Sequence, residues 1–172
     1  MSLVVRTWGE FPNFNPATDR NIRCQCGKCG EPLVSLDFMR ILQRGRTKHR
    51  RPANITSGCR CKAHNTAVKG AKNSDHLYDP KGKRLTCGFD IAFVFSSADK
   101  VFTGQLKQAR DDSARWILLI ALLDTTTNNT PIVAFLRDYT ISGINRIGVS
   151  YKRNFVHLGV NEQNPANVCW FY

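Results

Sequence analysis

Apolar positions along the chain follow two spacings, one typical of helices and one typical of short buried strands. Apolar residues recur every three or four positions over residues 35–46, which predicts a helix that begins with Ser35 as its N-cap. Residues 89–95 (FDIAFVF) are rich in aromatic and branched side chains and are predicted to form a buried strand. Helices are also predicted at 63–68 and 111–123, strands at 53–56, 146–149 and 155–160, and residues 132–136 fit either element. Since helices and strands do not alternate regularly, this order favours an α+β fold.

The organisation of the chain is that of one domain over residues 1–172, because no repeat and no linker rich in proline, glycine and serine divides it. Residues 1–34 form a loop-rich segment that contains three cysteines. The longest apolar run, residues 116–123, is far shorter than the roughly 20 residues of a membrane span, so no transmembrane segment is predicted. The C-terminal VCWFY either packs onto the core or docks onto a partner, and we favour packing.

The charge of the chain is strongly positive, with 25 basic and 13 acidic residues and a net charge of +12. Residues 38–74 contain ten lysines and arginines and no acid. This stretch is either a solvated basic face or a surface that meets an anionic polymer, such as one of the cell wall. Nucleic acid is not the expected partner, because the stretch has few aromatic side chains on which bases could stack.

Seven cysteines are more than a protein of this length needs for packing, and five of them fall into two short motifs. Cys24, Cys26 and Cys29 lie in CQCGKCG, and Cys59 and Cys61 lie in SGCRC. The first three, together with Cys59 or Cys61, suit a closed zinc site. The same residues could instead form disulfides that pin the N-terminal loop to the SGCRC turn, so both interpretations stay open.

Three residues far apart in the chain are candidate metal ligands: His76 in NSDHLY, Asp90 in CGFDIAF and His157 in NFVHLGV. Two imidazoles and one carboxylate suit a zinc ion that keeps its fourth position open for water. Spacing alone does not establish this site. A loop histidine, a buried hydrogen-bonded acid and a strand histidine would give the same pattern.

Four short sequence motifs, taken in order along the chain, favour the metal site over three unrelated structural residues. They are SGCR at 57–60, SDH at 74–76, DI at 90–91 and FVH at 155–157. In this order they resemble the zinc D-Ala-D-Ala carboxypeptidase-like family, peptidase M15, over roughly residues 20–160. That family includes phage endolysins that cut peptidoglycan peptides, and it shares a fold with the Hedgehog signalling domain. The resemblance implies a small antiparallel sheet with helices packed on it.

The resemblance also implies roles for individual residues. His76, Asp90 and His157 would bind Zn²⁺, and Arg60 would face the substrate, where a guanidinium could grip a carboxylate or stabilise a developing oxyanion. Ser74 would support the loop of the first ligand.

The spacing between the first two ligands departs from the family pattern. Fourteen positions separate His76 from Asp90, about twice the usual family spacing. The surplus, DPKGKRL at 79–85, is polar and contains proline and glycine, so it is predicted to be a surface excursion that leaves metal binding intact.

The acids that serve as general base in the family are missing from their usual positions. Asn154 stands three residues before the last histidine and is the catalytic candidate there, and Gly159 stands at a second usual acid position. An asparagine orients a water molecule but does not accept its proton. Asp75, Asp79 and Glu162 are candidate substitutes, whose positions in space the sequence does not determine.

The leading functional hypothesis is a zinc-dependent peptidase of the endolysin or D,D-carboxypeptidase type that cleaves peptidoglycan stem peptides and is encoded by a phage. Its N-terminus lacks the features of a signal peptide, so we expect synthesis in the host cytoplasm and action at the cell wall or transport in a virion. The alternative is a catalytically inactive structural or wall-binding virion protein of the same fold. Asn154 and Gly159 are the reasons for keeping it.

Overall fold

A mixed sheet of five strands forms the centre of the protein. The structure, a computed structural model, describes residues 3–79, 81, 83–124, 129–160, 162 and 164–172. The strands are β1 (Ile55–Ser57), β2 (Gly88–Ala92), β3 (Arg146–Ser150), β4 (Phe155–Gly159) and β5 (Val168–Phe171), in the spatial order β1-β2-β4-β3-β5. Neighbouring strands pair antiparallel except β3 and β5, which are parallel. The predicted antiparallel pairing is found for three of the four strand pairs, and β5 adds a parallel pair at one edge. The chain reverses after β4 and passes β3, so β5 runs in the same direction as β3.

Five helices among the described residues flank the sheet. They are α1 (Leu36–His49), α2 (Lys62–Ala67), α3 (Ser97–Lys107), α4 (Asp112–Asp124) and α5 (Pro131–Ser142). The helices predicted at 35–46, 63–68 and 111–123 are confirmed as α1, α2 and α4, and the ambiguous residues 132–136 belong to α5. Helix α3 is not among the helices predicted from the sequence. A capping box, in which Ser96 and Asp99 each accept the other's backbone N–H, begins this helix.

The hydrophobic core lies between one face of the sheet and helices α1 and α5. Along a strand successive side chains point to opposite faces, so Phe89 and Ile91 of β2 enter the core while Asp90 points the other way. The rings of Phe38 on α1 and Phe89 meet edge to face, with centroids 5.1 Å apart. The α+β class is confirmed. The face of the sheet opposite the core carries polar side chains and is available for a functional site.

Three local expectations have clear outcomes. The strand predicted at 89–95 ends at Ala92, and Phe93 and Phe95 continue in a loop. The C-terminal tail packs onto the protein as β5, with Cys169 fully buried. In the predicted surface excursion at 79–85, residues 81 and 83 are exposed and residues 79 and 84 half-buried, whereas Leu85 is buried; residues 80 and 82 lie outside the described part.

No helix in the described part of the chain combines the length and the apolar character that a membrane span requires.

Candidate metal centre and substrate cleft

The register of the sheet places five residues in one row across all its strands, on the face opposite the core. The row consists of Ser57 on β1, Asp90 on β2, His157 on β4, Gly148 on β3 and Trp170 on β5. Directly opposed residues point to the same face, so Asp90 and His157 are neighbours although 67 positions separate them.

The turn before β2 brings His76 to this row. The backbone of His76 is held at both ends: its N–H donates to Ser74 Oγ at 3.3 Å, and its carbonyl accepts from Thr86 Oγ1 at 2.9 Å. The Ser74 contact agrees with the supporting role that was expected of this residue. As a result His76 Nε2 lies 3.2 Å from Asp90 Oδ1, and His157 Nδ1 lies 2.9 Å from the same oxygen.

The three side chains have the donor atoms that a metal site needs. All three are buried, and their candidate ligand atoms lie within 4.8 Å of one another. His76 Nδ1 lies 2.8 Å from the carbonyl oxygen of Gly58, so this nitrogen carries the proton and Nε2 presents its lone pair. His157 Nε2 lies 3.1 Å from Asp75 Oδ2, so Nδ1, which faces Asp90, is the nitrogen that would bind a metal ion once it gives up its proton. Two nitrogens and a carboxylate, each imidazole oriented through its second nitrogen, fit a divalent metal such as zinc.

Asp75 is an orienting residue that the sequence analysis considered only as a substitute base. Its Oδ2 accepts from Arg146 Nε at 2.8 Å as well as from His157, and its Oδ1 accepts from the Asn164 amide. Burial alone would raise the pKa of Asp75, but His157 and Arg146 outweigh it and hold the pKa at about 2. The carboxylate is therefore ionised and fully engaged.

The electrostatics of the three candidate ligands follow from the same contacts. Burial alone would lower the pKa of His157, but the carboxylates of Asp75 and Asp90 outweigh it and raise the pKa to about 9. Burial alone would raise the pKa of Asp90, yet the two histidines hold it well below its usual range. The pKa of His76 is lowered, mainly by burial. Without a metal ion His157 is therefore protonated near neutral pH, and a bound cation would take the place of its Nδ1 proton beside Asp90.

Gly159 explains how Asp75 reaches the last histidine. A Cβ atom at position 159 would lie 3.1 Å from both Asp75 Oδ2 and His157 Nε2. The missing side chain therefore leaves the space that the Asp75 carboxylate occupies. Gly159 thus has no acid of its own, and the carboxylate beside it comes from Asp75 in another part of the chain.

The other candidate acids do not reach the centre. Glu162 accepts a hydrogen bond from the Ser35 hydroxyl, and Asp79 accepts from the backbone N–H of Lys81. Among the described residues, the only carboxylates that line the cleft over the centre are Asp75 and Asp90.

Of the two candidate catalytic residues, the structure brings Arg60 to the centre and not Asn154. Arg60 donates from Nε and Nη2 to Ser57 Oγ at 3.1 and 2.8 Å, and from Nη2 to Asp90 Oδ2 at 3.3 Å. Asn154 is exposed in the turn between β3 and β4, with a φ of 50°, and it does not line the cleft. Its carbonyl accepts from the Phe93 N–H at 2.8 Å, so this asparagine shapes the turn, and its catalytic role stays a prediction.

The cleft over the centre has a volume of about 460 Å³ and combines basic with aromatic walls. Its basic side chains are Arg60, Lys69, Arg146 and Arg153, and its aromatic ones are Phe155, Trp170 and Tyr172. The contribution of the C-terminal residues Trp170 and Tyr172 to the cleft is not predicted by the sequence pattern. A Cβ at Gly148 would lie 2.7 Å from the Trp170 ring, so this glycine lets the indole lie beside His157, with ring centroids 5.3 Å apart.

The cysteines separate into one cluster and isolated thiols. Cys24, Cys26, Cys29 and Cys61 have sulfur atoms within 4.8 Å of one another, whereas Cys59 is buried and does not belong to the group.

Comparison with known proteins identifies the family to which the chain belongs. The sequence profile of the family described as Peptidase M15 matches residues 15–113, which is more than half of the chain. No curated protein and no solved structure matches the sequence. Members of this family are typically metallopeptidases, which agrees with a cleft that carries a His/Asp group able to hold a metal ion. The chain therefore belongs to the peptidase M15 family and has a peptidase-like function.

Proposed function

We propose that the protein is a zinc-dependent peptidase that cleaves the stem peptides of peptidoglycan, as an endolysin or a D,D-carboxypeptidase does. The observation that carries this proposal is the convergence of His76 Nε2, Asp90 Oδ1 and His157 Nδ1 at the floor of an accessible cleft. The membership in a peptidase family supports the same reaction class.

The residues of the chain prepare the centre for a metal ion before it binds. Bound zinc would act as a Lewis acid on a peptide carbonyl and would lower the pKa of water to about 7. The Gly58 carbonyl keeps the proton of His76 on Nδ1, and Asp75 keeps that of His157 on Nε2. His76 is therefore held in the tautomer that binds a metal, and His157 would reach that tautomer when the ion displaces its Nδ1 proton.

Arg60 is the residue that we assign to the substrate. Its Nε and Nη2 are occupied by Ser57 and Asp90, which fix the plane of the guanidinium at the cleft wall. Among the described residues Nη1 has no hydrogen-bond partner, so it is free to donate to a substrate carboxylate or to the oxygen of the scissile carbonyl.

The charge of the cleft favours an anionic peptide. Four basic side chains line it, while its two carboxylates are buried and paired. Stem peptides of peptidoglycan carry free carboxylates, which such a cleft would attract. The net charge of +12 would in addition retain the protein on anionic wall polymers. We extend the proposal on this basis to a protein that acts at the cell wall; a phage origin and transport in a virion stay expectations from the family resemblance.

Arg153→Gln is expected to raise KM for a stem peptide with a free carboxylate by up to about fivefold, with kcat nearly unchanged. Arg153 is exposed at the cleft wall, and an exposed ion pair contributes at most about 1 kcal/mol. Steady-state kinetics with the free and the amidated peptide measure the effect. Lys152→Gln is the matched control, because Lys152 is also exposed but does not line the cleft. An equal rise in KM for the amidated peptide, or for the control variant, would contradict the assignment.

Removal and restoration of the metal tests the reaction itself. The protein is stripped with a chelator and incubated with purified cell walls, and the new amino groups released by peptide-bond cleavage are counted. We expect no release without metal and restored release with Zn²⁺, but not with Mg²⁺, which prefers a shell of oxygen ligands. Failure of the stripped protein to take up zinc in the cleft would overturn the proposal.

A second candidate function is a wall-binding or structural role without catalysis. It is favoured by one observation: the carboxylates that line the cleft, Asp75 and Asp90, are both paired, so neither is free to take a proton from water. In the same experiment, zinc uptake together with wall binding but without any release of amino groups would support this role in place of hydrolysis.

A further inference from the structure

We propose that Cys24, Cys26, Cys29 and Cys61 form a second, closed zinc site that ties the N-terminal segment to the substrate cleft. This site is separate from the centre at His76, Asp90 and His157, and the inference does not depend on peptidase activity.

The sulfur positions fit a tetrahedral ion. Cys26 Sγ lies 3.5 Å from Cys24 Sγ, 3.3 Å from Cys29 Sγ and 3.9 Å from Cys61 Sγ. Zinc binds thiolates at roughly 2.3 Å, so the sulfurs of a regular tetrahedron lie roughly 3.8 Å apart. The observed separations bracket that value. One sulfur in contact with three others is the arrangement of a shared ion, since a disulfide would join them only in pairs.

The surroundings of the cluster supply the hydrogen bonds that thiolate ligands require. The backbone N–H groups of Lys28, Cys61 and His64 donate to the sulfurs of Cys26, Cys24 and Cys61, at 3.5, 3.4 and 3.4 Å. His64 Nδ1 also lies 3.3 Å from Cys24 Sγ. Four thiolates around Zn²⁺ leave two negative charges, and these donors would stabilise them. The thiols lose four protons to solvent when the ion binds, and no electron is transferred, so the step needs no oxidant.

The structure also separates Cys61 from Cys59, which the sequence left as alternatives. Cys61 is the N-cap of α2, and its sulfur lies in the cluster. Cys59 is buried, and its backbone N–H donates to the Ile22 carbonyl at 3.0 Å. Arg60 lies between these two cysteines. A metal ion on Cys61 would therefore hold one end of the loop that carries Arg60 into the cleft.

Metal content tests the site on the intact protein. We expect two zinc ions per chain in the wild type, one in Cys29→Ser and one in His157→Ala. After exchange with Co²⁺, the thiolate-to-cobalt charge-transfer absorption should persist in His157→Ala and disappear in Cys29→Ser. Cys59→Ala is the matched control and should keep both ions, since its sulfur lies outside the cluster. Absence of the thiolate-to-cobalt absorption in the wild type, or a loss in Cys59→Ala equal to that in Cys29→Ser, would overturn the proposal. A wild type that shows this absorption but binds only one ion would contradict the His/Asp centre instead.

A second measurement avoids variants that fail to fold. The wild type, purified with reductant, is titrated with an organomercurial, and the released zinc is followed with a metal indicator. We expect one of the two ions to be released as the thiols react, while the other stays bound to its nitrogen and oxygen ligands. In a separate sample purified without reductant and then denatured, a count of free thiols should be seven both with and without prior reduction. A lower count before reduction would show disulfides in place of the metal.

Discussion

Replacing His157 by alanine is expected to reduce hydrolysis of cell-wall peptides to background and to remove the metal ion from the cleft. Nδ1 of His157 faces Asp90, and Nε2 faces Asp75. The variant would leave two donors where a catalytic zinc ion is held by three protein ligands. It would also leave two buried carboxylates facing a cavity without the group that now lies between them, a costly arrangement in itself. Zinc content and released amino groups measure the two effects.

The control for this experiment is another histidine of the same chain. His49 Nδ1 lies 2.9 Å from Asp138 Oδ2, where α1 packs on α5, and it does not line the cleft. His49→Gln should keep both metal binding and activity, at a modest loss of stability. Wild-type activity in His157→Ala would contradict the proposed centre. An equal loss of activity in His49→Gln would mean that the loss in both variants results from misfolding and not from removal of a metal ligand.

The family and the candidate ligands could be predicted because the informative residues lie in short continuous blocks. Each block occupies two to four neighbouring positions: SGCR, SDH, DI and FVH. Such a motif can be recognised in the sequence even when the segments between the blocks differ in length. The structure brings the three predicted ligand positions together through the β2–β4 register and the turn before β2. Helices α1 and α4 were predictable for a similar reason, since an apolar stripe or run is a local property.

The residues that were missed depend on contacts between distant segments. Asp75 and His157 lie 82 positions apart, and a single aspartate in a polar loop gives no sign of its partner. The position of Trp170 depends on the parallel pairing of β5 with β3 and on the missing side chain of Gly148. Cys59 and Cys61 are only two positions apart, and which of their thiols lies in the cysteine cluster depends on the direction of each side chain in the folded chain. Such contacts are properties of the tertiary fold.

The second large effect is expected from Gly88→Ala, a change of one methyl group next to the metal centre. A Cβ at position 88 would lie 2.7 Å from both Asp75 Cβ and His157 Nε2. Both neighbours are buried; His157 lies on β4 between β2 and β3, and the Asp75 carboxylate is held by Arg146 and Asn164, so the methyl group must displace groups that are already fixed. Overpacking of this kind costs about 1–3 kcal/mol of stability. Separating Asp75 from His157 should lower metal affinity by a further 10–100-fold, as is typical when an orienting partner is lost.

The matched control is the same substitution where the structure has room for it. Gly104 lies within α3, and a Cβ there would meet nothing within 4 Å. Gly104→Ala should therefore raise stability by about 0.5–1 kcal/mol, because alanine loses less backbone freedom in a helix than glycine does. Thermal unfolding and zinc titration of both variants compare the two sites. Opposite signs are expected because a glycine is required only where its missing side chain makes room for a contact. Equal zinc affinity in Gly88→Ala and wild type would mean that the contact between Asp75 and His157 does not orient the ligand.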